Sequence, residues 1–391
     1  MKKKVIIFTS SGGGGHVAAA QALEQYLGDE YDIVIHYIFA GILKNFDPIY
    51  LITLGYWHSE KLYNLFIVGK WYRVLNSLYY VGKPYINLLN TKITHLIYNY
   101  LHTHKADVVI SVIPFINNAC IAAAEKLDIP FFLFPLDLDA SHFVYNITKQ
   151  TYKNFYIGLP FDTILSKKIL SKYHMPAAQI FVSGAILRTD FFYPKNITLL
   201  KEKNNIPIFK PVLLLLMGSA GSHASYIYFK QLLQITQPLH IIIVLGRHKA
   251  MRSKFEAIHI PIHISVTIFG FVQDIANLMT IADLSIMKSG SLSVCEAIYS
   301  NMPMLLDASG PILKWERLNH VFVEQNGLGQ SITDYRQIPQ IVDSILKNTN
   351  YLIQIKQNFS KIEKKQANIE IPKFIKMSLN NKGLPSSKPL S

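Results

Sequence analysis

Hydrophobic positions in the first third of the chain alternate between short β-branched runs and stripes with helical spacing. Residues 4–9 form such a run, and residues 17–27 place Ala19, Ala22, Leu23, Tyr26 and Leu27 on one helical face. The same patterns predict strands over residues 31–38, 107–113 and 130–135 and a helix over residues 116–127. Strands that alternate with helices predict an α/β fold with a parallel, doubly wound sheet.

A second alternation of the same kind begins after residue 210. It predicts strands over residues 212–217, 241–245, 264–268, 283–287 and 303–306, with helices near residues 225–236, 272–281 and 292–299. Each half opens with a strand, a loop of small residues and a helix, the loops being residues 12–15 and 218–222. The repetition predicts two Rossmann-like domains, as a length of 391 residues also favours.

The predicted boundaries follow from composition. An N-terminal domain spans residues 1–195, a polar and proline-containing linker residues 196–210, and a C-terminal domain residues 211–350. Residues 351–376 are expected to form a basic helix, which a tail rich in Pro, Ser and Lys follows up to residue 391.

Residues 44–100 differ from the rest of the first domain because aromatic residues are interleaved with Lys and Arg. We interpret this stretch as a helical insert. Two interpretations have equal weight: the helices pack on the sheet, or their aromatic and cationic side chains dock at the interface of a membrane.

Charge and composition narrow the class of protein. The net charge of +14 allows nucleic acid, a phosphorylated substrate or an anionic membrane surface as partner, but no nucleic-acid-binding motif is found, so nucleic acid is not expected. The apolar run after Lys2-Lys3-Lys4 is too short for a signal peptide, and no run is long enough to span a bilayer, so we expect a cytoplasmic chain. Cys120 and Cys295 suggest neither a disulfide framework nor a zinc site.

The turn Gly12-Gly13-Gly14-Gly15-His16 joins a strand to a helix, where backbone N–H groups and the helix dipole can meet an anion. Neither glycine-rich loop has the Lys-Ser/Thr of a P-loop, and the first half lacks the acidic residue typical of dinucleotide binding. In the first helical turn, the dipole disfavours protonated His16, which suits a general base.

A second set of residues follows later strands. It comprises Gly270-Phe271, the stretch from Lys288 to Ala297, and the stretch from Trp315 to Asn319. Glu296 stands in an otherwise apolar helix, where a carboxylate needs hydrogen-bond donors, and ribose hydroxyls would supply them.

The order and spacing of seven short motifs along the chain resemble those of a known family of enzymes. They are the glycine turn before an Ala-rich helix, Asp137-Leu138 with His142, Gly184 with Arg188 and Phe191, the loop at residues 218–221, Gly270-Phe271, residues 288–296, and Glu316 with Asn319. From about residue 5 to 326 the chain resembles the glycolipid-forming glycosyltransferases, which include plant monogalactosyldiacylglycerol synthase and bacterial processive diacylglycerol glucosyltransferase. The peptidoglycan enzyme that adds N-acetylglucosamine to lipid I is a more distant relative.

The resemblance implies a GT-B fold, in which the parallel sheets of two Rossmann-like domains face a cleft. It implies an inverting transfer from a UDP-sugar to a lipid acceptor, without a metal or another cofactor. The aromatic insert and the basic charge together predict that the protein docks on the inner face of the cell membrane. His16 would be the base, with Gly13, Gly14, Gly15, Asp137 and His142 on the acceptor side. The residues implied on the donor side are Arg188, Gly218, Ser219, Gly221, Phe271, Lys288, Ser289, Gly290, Ser291, Glu296, Glu316 and Asn319. Arg247 joins this set only because it follows the predicted strand 241–245.

Three positions depart from the pattern of that family. Ser11 stands where the plant enzymes have an Asp, so no carboxylate beside His16 comes from that position. Ser291 replaces a glycine next to the diphosphate and either crowds the site or supplies a hydroxyl, and Leu187 replaces a proline.

Other functions stay open from the sequence. Asp137-Leu138-Asp139 resembles the Asp-x-Asp metal site of single-domain glycosyltransferases. A non-catalytic protein bound to an anionic membrane, an N-acetylglucosaminyltransferase acting on an undecaprenyl-linked precursor, and a UDP-sugar epimerase are further alternatives.

Overall fold

A computed structural model describes residues 2–147, 152–172, 174–175, 177–218, 223–246 and 251–380. The chain divides into two compact units. The first contains Met1–Thr189 together with the chain from Glu363 onwards, and the second contains Asp190–Ile362. Each unit has a six-stranded parallel sheet with helices, which confirms the predicted two-domain α/β architecture.

The sheet of the first unit has the strand order β2-β1-β3-β4-β5-β6. Its strands are β1 (Lys4–Thr9), β2 (Asp32–Tyr37), β3 (Val108–Ser111), β4 (Phe131–Leu133), β5 (Phe155–Leu159) and β6 (Ile180–Val182). In register, Val5 on β1 pairs with Ile33 on one side and Val108 on the other. The order of succession reverses between β1 and β3, so their carboxyl ends flank the point where ligands collect in such sheets.

Within the described residues, the N-terminal part of the first unit contains seven α-helices. They are α1 (Gly14–Leu27), α2 (Pro48–Ile52), α3 (Ser59–Val68), α4 (Tyr72–Leu88), α5 (Asn90–Thr103), α6 (Asn117–Leu127) and α7 (Ile164–Lys172). Helices α2 to α5 form the predicted insert. Among the described residues no helix is both long enough and apolar enough to cross a membrane.

Helix α4 has two apolar faces. Tyr72, Leu75 and Tyr79 are buried on one face, whereas Val74, Leu78, Val81 and Leu88 are exposed on the other. The exposed positions recur every three, four or seven residues, which is the spacing of a single helical stripe. The insert therefore packs in the first unit and also presents an apolar outer surface.

The sheet of the second unit has the order β12-β11-β10-β7-β8-β9. Its strands are β7 (Val212–Leu216), β8 (Leu239–Val244), β9 (Ile264–Phe269), β10 (Leu284–Met287), β11 (Met304–Asp307) and β12 (Gly329–Ile332). The reversal of strand order falls between β7 and β10. Leu213, Leu215, Ile241, Ile243 and Ile286 are completely buried on these strands and form the centre of the core.

The helices of the second unit are α8 (Ile197–Lys203), α9 (His223–Leu232), α10 (Arg252–Glu256), α11 (Ile275–Ile281), α12 (Ser291–Tyr299), α13 (Arg317–Gln325), α14 (Ile338–Lys347) and α15 (Thr349–Phe359). The segment predicted as a linker therefore contains α8. Asn196 caps this helix by accepting a hydrogen bond from the Leu199 N–H at 3.1 Å. The buried Lys201 donates to the Ile208 carbonyl at 3.3 Å, so residues 196–210 are an ordered part of the second unit.

The single basic helix predicted over residues 351–376 is two helices, and the boundary between the units falls between them. The later helix, α16 (Ala367–Leu379), belongs to the first unit. The Phe374 ring lies 3.9 Å from the Phe181 ring on β6, and Lys376 Nζ lies 3.7 Å from a Glu30 oxygen. The first unit is therefore discontinuous in sequence, unlike the predicted domains.

Candidate active site

The glycine turn connects β1 to α1 in the first unit. Gly13 is the residue before the helix and has a φ of 79°, in the left-handed region that favours glycine. Among the described residues no side chain caps this helix, and its first turn contains no acidic residue. The first N–H groups of α1, which belong to Gly14, Gly15 and His16, are therefore available for an anion, and anion binding at this turn stays a prediction.

The His16 side chain connects the start of α1 to the residue after β3, at the place where the strand order of the first sheet reverses. Its Nδ1 lies 2.7 Å from the carbonyl oxygen of Val112, which directly follows β3. Because a carbonyl only accepts hydrogen bonds, Nδ1 carries the ring proton and Nε2 has the lone pair. Burial lowers the pKa of His16, opposed by its hydrogen bond to Val112 and by the charge of Glu60. The neutral imidazole expected from the helix dipole thus results mainly from desolvation.

The insert holds the glycine turn through two residues of α3. Glu60 accepts hydrogen bonds from the Ser10 hydroxyl at 2.5 Å, the Ser11 N–H at 2.8 Å and the Ser11 hydroxyl at 2.6 Å. Asn64 accepts from the Gly13 N–H at 2.8 Å and donates to the Ser11 carbonyl at 3.0 Å. Sequence reasoning missed both residues. Their spacing of four on one helical face was the only available signal.

A surface cavity of about 420 Å³ adjoins this turn. Its lining comprises the polar residues Ser11, His58, Glu60, Lys61 and Asn64 and the apolar residues Ala40, Leu65 and Val68, the last two at the C-terminal end of α3. A ligand with a polar head and an apolar body fits such a lining.

His142, predicted on the acceptor side, is almost completely buried. Its Nδ1 lies 2.5 Å from the Tyr79 hydroxyl of α4, and its Nε2 lies 3.5 Å from an Asp139 oxygen. In this structure His142 thus supports the packing of the insert, while the nearby Asp137 is partly exposed. Asp139 caps the short 3-10 turn Ala140–His142 by accepting from the Ser141 N–H at 3.0 Å. Within the described residues no three His, Cys, Asp or Glu side chains are grouped as metal ligands.

In the second unit, five of the predicted donor-side residues form one hydrogen-bonded network. Lys288 Nζ lies 2.9 Å from Glu316 Oε1, and the Ser289 hydroxyl donates to Glu316 Oε2 at 3.3 Å. The Asn319 amide donates to the Ser289 carbonyl at 2.7 Å and to the Ser291 hydroxyl at 2.9 Å. The network fixes the loop between β10 and α12.

This loop lies at the reversal point of the second sheet. The Lys288 N–H donates to the Leu216 carbonyl at the end of β7, at 3.3 Å. Gly218 follows with a φ of 91°, and a Cβ at that position would meet no atom of the described residues within 4 Å. Helix α12 begins at Ser291 after Gly290, and no side chain in the described part of the chain caps it. Its N-terminal N–H groups thus face the region where an anionic ligand is expected.

Three further predicted donor-side residues lie within the described part of the chain. Phe271 is 53% exposed just after β9. Glu296 is partly buried on α12, and Arg188 belongs to the first unit. Ser219, Gly221 and Arg247 lie outside the described residues.

Asn319 and Ser291 are both buried, which refines two expectations. Asn319 has no exposed surface, and in this structure its amide nitrogen holds the loop; its contact with the sugar stays a prediction. The Ser291 hydroxyl accepts from that amide. The departure from glycine at position 291 is therefore accommodated by a hydrogen bond within the protein.

Comparison with known proteins adds to this geometry, although no family model matches the chain. The processive diacylglycerol beta-glucosyltransferase of a Bacillus cereus strain is 24% identical over 358 residues, which cover 89% of this chain and 86% of the relative. The same enzyme of Bacillus thuringiensis (strain Al Hakam) matches to the same extent. MurG of Acinetobacter baumannii has a similar fold, with a TM-score of 0.62 at 14% identity over 96% of this chain and 99% of its own.

These matches confirm the resemblance to glycolipid-forming enzymes and the GT-B fold. The chain is a GT-B glycosyltransferase. The fold by itself does not decide this, because a Listeria monocytogenes protein assigned as a UDP-N-acetylglucosamine 2-epimerase has a TM-score of 0.59 at 14% identity. It covers 98% of both chains. The two diacylglycerol glucosyltransferases match this chain in sequence over 89% of its length, and this match distinguishes a glycosyltransferase from an epimerase.

Proposed function

We propose that this glycosyltransferase moves a hexose from a UDP-sugar to a lipid acceptor such as diacylglycerol, with inversion and without a metal. The observation that carries the proposal is His16, whose Nε2 lone pair lies at the reversal point of the first sheet. The adjacent cavity, polar at the glycine turn and apolar towards Leu65 and Val68, suits an acceptor with a polar head and acyl chains. The relatives named diacylglycerol glucosyltransferases support the same acceptor class.

In the proposed reaction, the acceptor hydroxyl attacks the anomeric carbon while its proton passes to His16 Nε2. The bond between the anomeric carbon and the diphosphate oxygen breaks, and UDP leaves with the electron pair. A single displacement of this kind inverts the anomeric centre. Proton transfer to a positioned imidazole accounts for about 10²–10⁴-fold of rate enhancement.

The second unit would stabilise the departing diphosphate. The N-terminal N–H groups of α12 form a fixed donor set there. Lys288 adds a cation whose position is set by Glu316. Because that cation is already paired, we expect the helix N–H groups to carry the larger part of the stabilisation.

The insert supports docking on an anionic membrane surface. Residues 44–100 contain six Lys or Arg and two acidic residues, Asp47 and Glu60. Both carboxylates are buried and engaged inside the first unit, Asp47 by the Ser59 hydroxyl at 2.6 Å and Glu60 by the glycine turn. The outer charge of the insert is thus positive, and the insert also exposes aromatic and aliphatic side chains. We place the enzyme on the inner face of the cell membrane.

Replacement of His16 by Ala tests the proposal. We expect kcat for transfer from UDP-glucose, UDP-galactose or UDP-N-acetylglucosamine to diacylglycerol in vesicles to fall about 10²–10⁴-fold. The Kd for UDP, measured by calorimetry, should change less than about twofold, since the base contacts the acceptor. His95→Ala, which removes an exposed imidazole from α5, is the matched control.

Equal losses of kcat and of UDP affinity in His16→Ala would contradict its role as base. Loss of transfer by the native enzyme in excess chelator would contradict the absence of a metal. Binding of vesicles without transfer from any of the three UDP-sugars would favour a membrane-binding protein instead.

A further inference from the structure

Glu60 is a buried carboxylate that belongs to the insert but serves the glycine turn. Its side chain is 8% exposed, and both oxygens accept hydrogen bonds from Ser10 and Ser11. The contact joins residues 49 and 50 positions apart in sequence. Position 11 is also where the sequence lacks the carboxylate expected beside His16.

The charge of Glu60 is not needed for these hydrogen bonds. A neutral amide of the same shape could accept from the Ser11 N–H and donate to a serine hydroxyl. Burial of a carboxylate is less favourable than burial of an amide, because the charge loses its hydration. A carboxylate at this place therefore points to a use of the charge itself.

The nearest use is at His16. The negative charge of Glu60 opposes the effect of burial on the imidazole and raises its pKa. The backbone carbonyl of Val112 acts in the same direction from the end of β3. On the side of the insert, His58 and Lys61 line the cavity next to Glu60, and the Tyr63 ring of α3 lies against the glycine turn, 3.6 Å from where a Cβ at Gly12 would be.

We propose that Glu60 is a positioning residue of the transfer reaction, which fixes the glycine turn and stabilises the imidazolium that forms on His16. The proton leaves the acceptor hydroxyl and arrives on His16 Nε2. This inference rests on the proposed function, because it requires His16 to be the base.

Glu60→Gln separates the charge from the hydrogen bonds. We expect kcat to fall about tenfold or more, with KM for the UDP-sugar and for the lipid within about twofold of the native values. The acid limb of the profile of kcat against pH should move to lower pH, because the imidazolium loses its stabilising neighbour. Glu24→Gln, which removes an exposed carboxylate from the same helix as His16, should leave both unchanged.

A carboxylate moved across the contact provides a second test. The Ser11 hydroxyl lies 2.6 Å from Glu60 Oε2, so Ser11→Asp would place a carboxylate close to the position of the Glu60 carboxylate. We expect the double variant Ser11→Asp/Glu60→Ala to recover at least about tenfold of the kcat that Glu60→Ala loses. NMR titration of the His16 ring should report a lower pKa in Glu60→Gln than in the native protein.

Native kcat and an unchanged acid limb in Glu60→Gln, together with a loss in Glu60→Ala, would reduce Glu60 to a structural role and overturn the inference. So would an unchanged pKa of His16 or the absence of recovery in the double variant. Failure of the proposed function looks different: the native protein would then transfer sugar from none of the three UDP-sugars, whatever the Glu60 variants do to the pKa of His16.

Discussion

Membrane docking through the insert can be tested on the exposed stripe of α4. Val74, Leu78, Val81 and Leu88 are 40%, 47%, 69% and 83% exposed. Their replacement by Gln, all four together, keeps good helix formers on the outer face and leaves the buried face of the helix intact. The fold should therefore be retained, as a thermal unfolding midpoint close to the native value would confirm.

The magnitude follows from the exposed fractions. Together the four side chains expose the equivalent of about two complete aliphatic side chains, each of which contributes about 1.5–3 kcal/mol on full burial. If half of this surface enters the lipid, docking loses about 2–3 kcal/mol in the variant. This loss corresponds to a partition into vesicles that is roughly thirtyfold to 150-fold weaker.

The assay is flotation with anionic vesicles at low and high salt. The matched control replaces four exposed apolar residues of the second unit by Gln, namely Ile197, Leu199, Phe209 and Ile262. We expect the control to float like the native protein and the stripe variant to remain in the load fraction. Equal flotation of all three proteins, or equal loss in the control, would refute docking through α4.

Two further predictions concern the second unit. Burial, assisted by the charges of Lys210 and Lys201, lowers the pKa of His240 to about 4, so below pH 6.5 the unfolded chain takes up a proton that the folded chain excludes. We therefore expect urea titrations to show that the free energy of unfolding decreases between pH 6.5 and pH 5. The decrease should be about 2 kcal/mol larger in the native protein than in His240→Gln. The same pH dependence in both proteins would contradict this. Asn319→Leu removes both hydrogen bonds to the loop at Ser289 and Ser291, so we expect about 2–3 kcal/mol lower stability and weaker UDP binding by calorimetry. Unchanged UDP affinity in a destabilised variant would separate Asn319 from the donor site.

Most of the sheet architecture could be predicted from hydrophobic periodicity. Three strands were missed. Strand β12 (Gly-Gln-Ser-Ile) has little apolar signal, and β6 is only three residues long. In β5, Gly158 interrupts the apolar run, and the structure shows why it is there: a Cβ would lie 2.4 Å from the Phe134 ring. The glycine at position 158 is required by Phe134, which directly follows the neighbouring strand β4, and no local sequence pattern reports such a contact.

In the candidate site, too, the residues that follow one another in sequence could be predicted, and those that depend on long-range contacts could not. Residues close together in sequence, such as those from Lys288 to Ser291, were recognised because a strand, a loop and a helix follow one another directly. Glu60 and Asn64 could not be, because their contacts with the turn cross about 50 residues. The same applies to α16, whose place in the first unit depends on packing against Phe181 and not on its own basic sequence.

The contact between Ser11 and Glu60 has a consequence for the evolution of this enzyme. Acidic residues at both positions would bring two negative charges to within hydrogen-bonding distance, and one of them would have to be protonated. Homologues should therefore carry the acid at one position or the other and rarely at both. Positions 11 and 60 are then expected to covary, and the aromatic insert and the glycine turn are inherited as a matched pair.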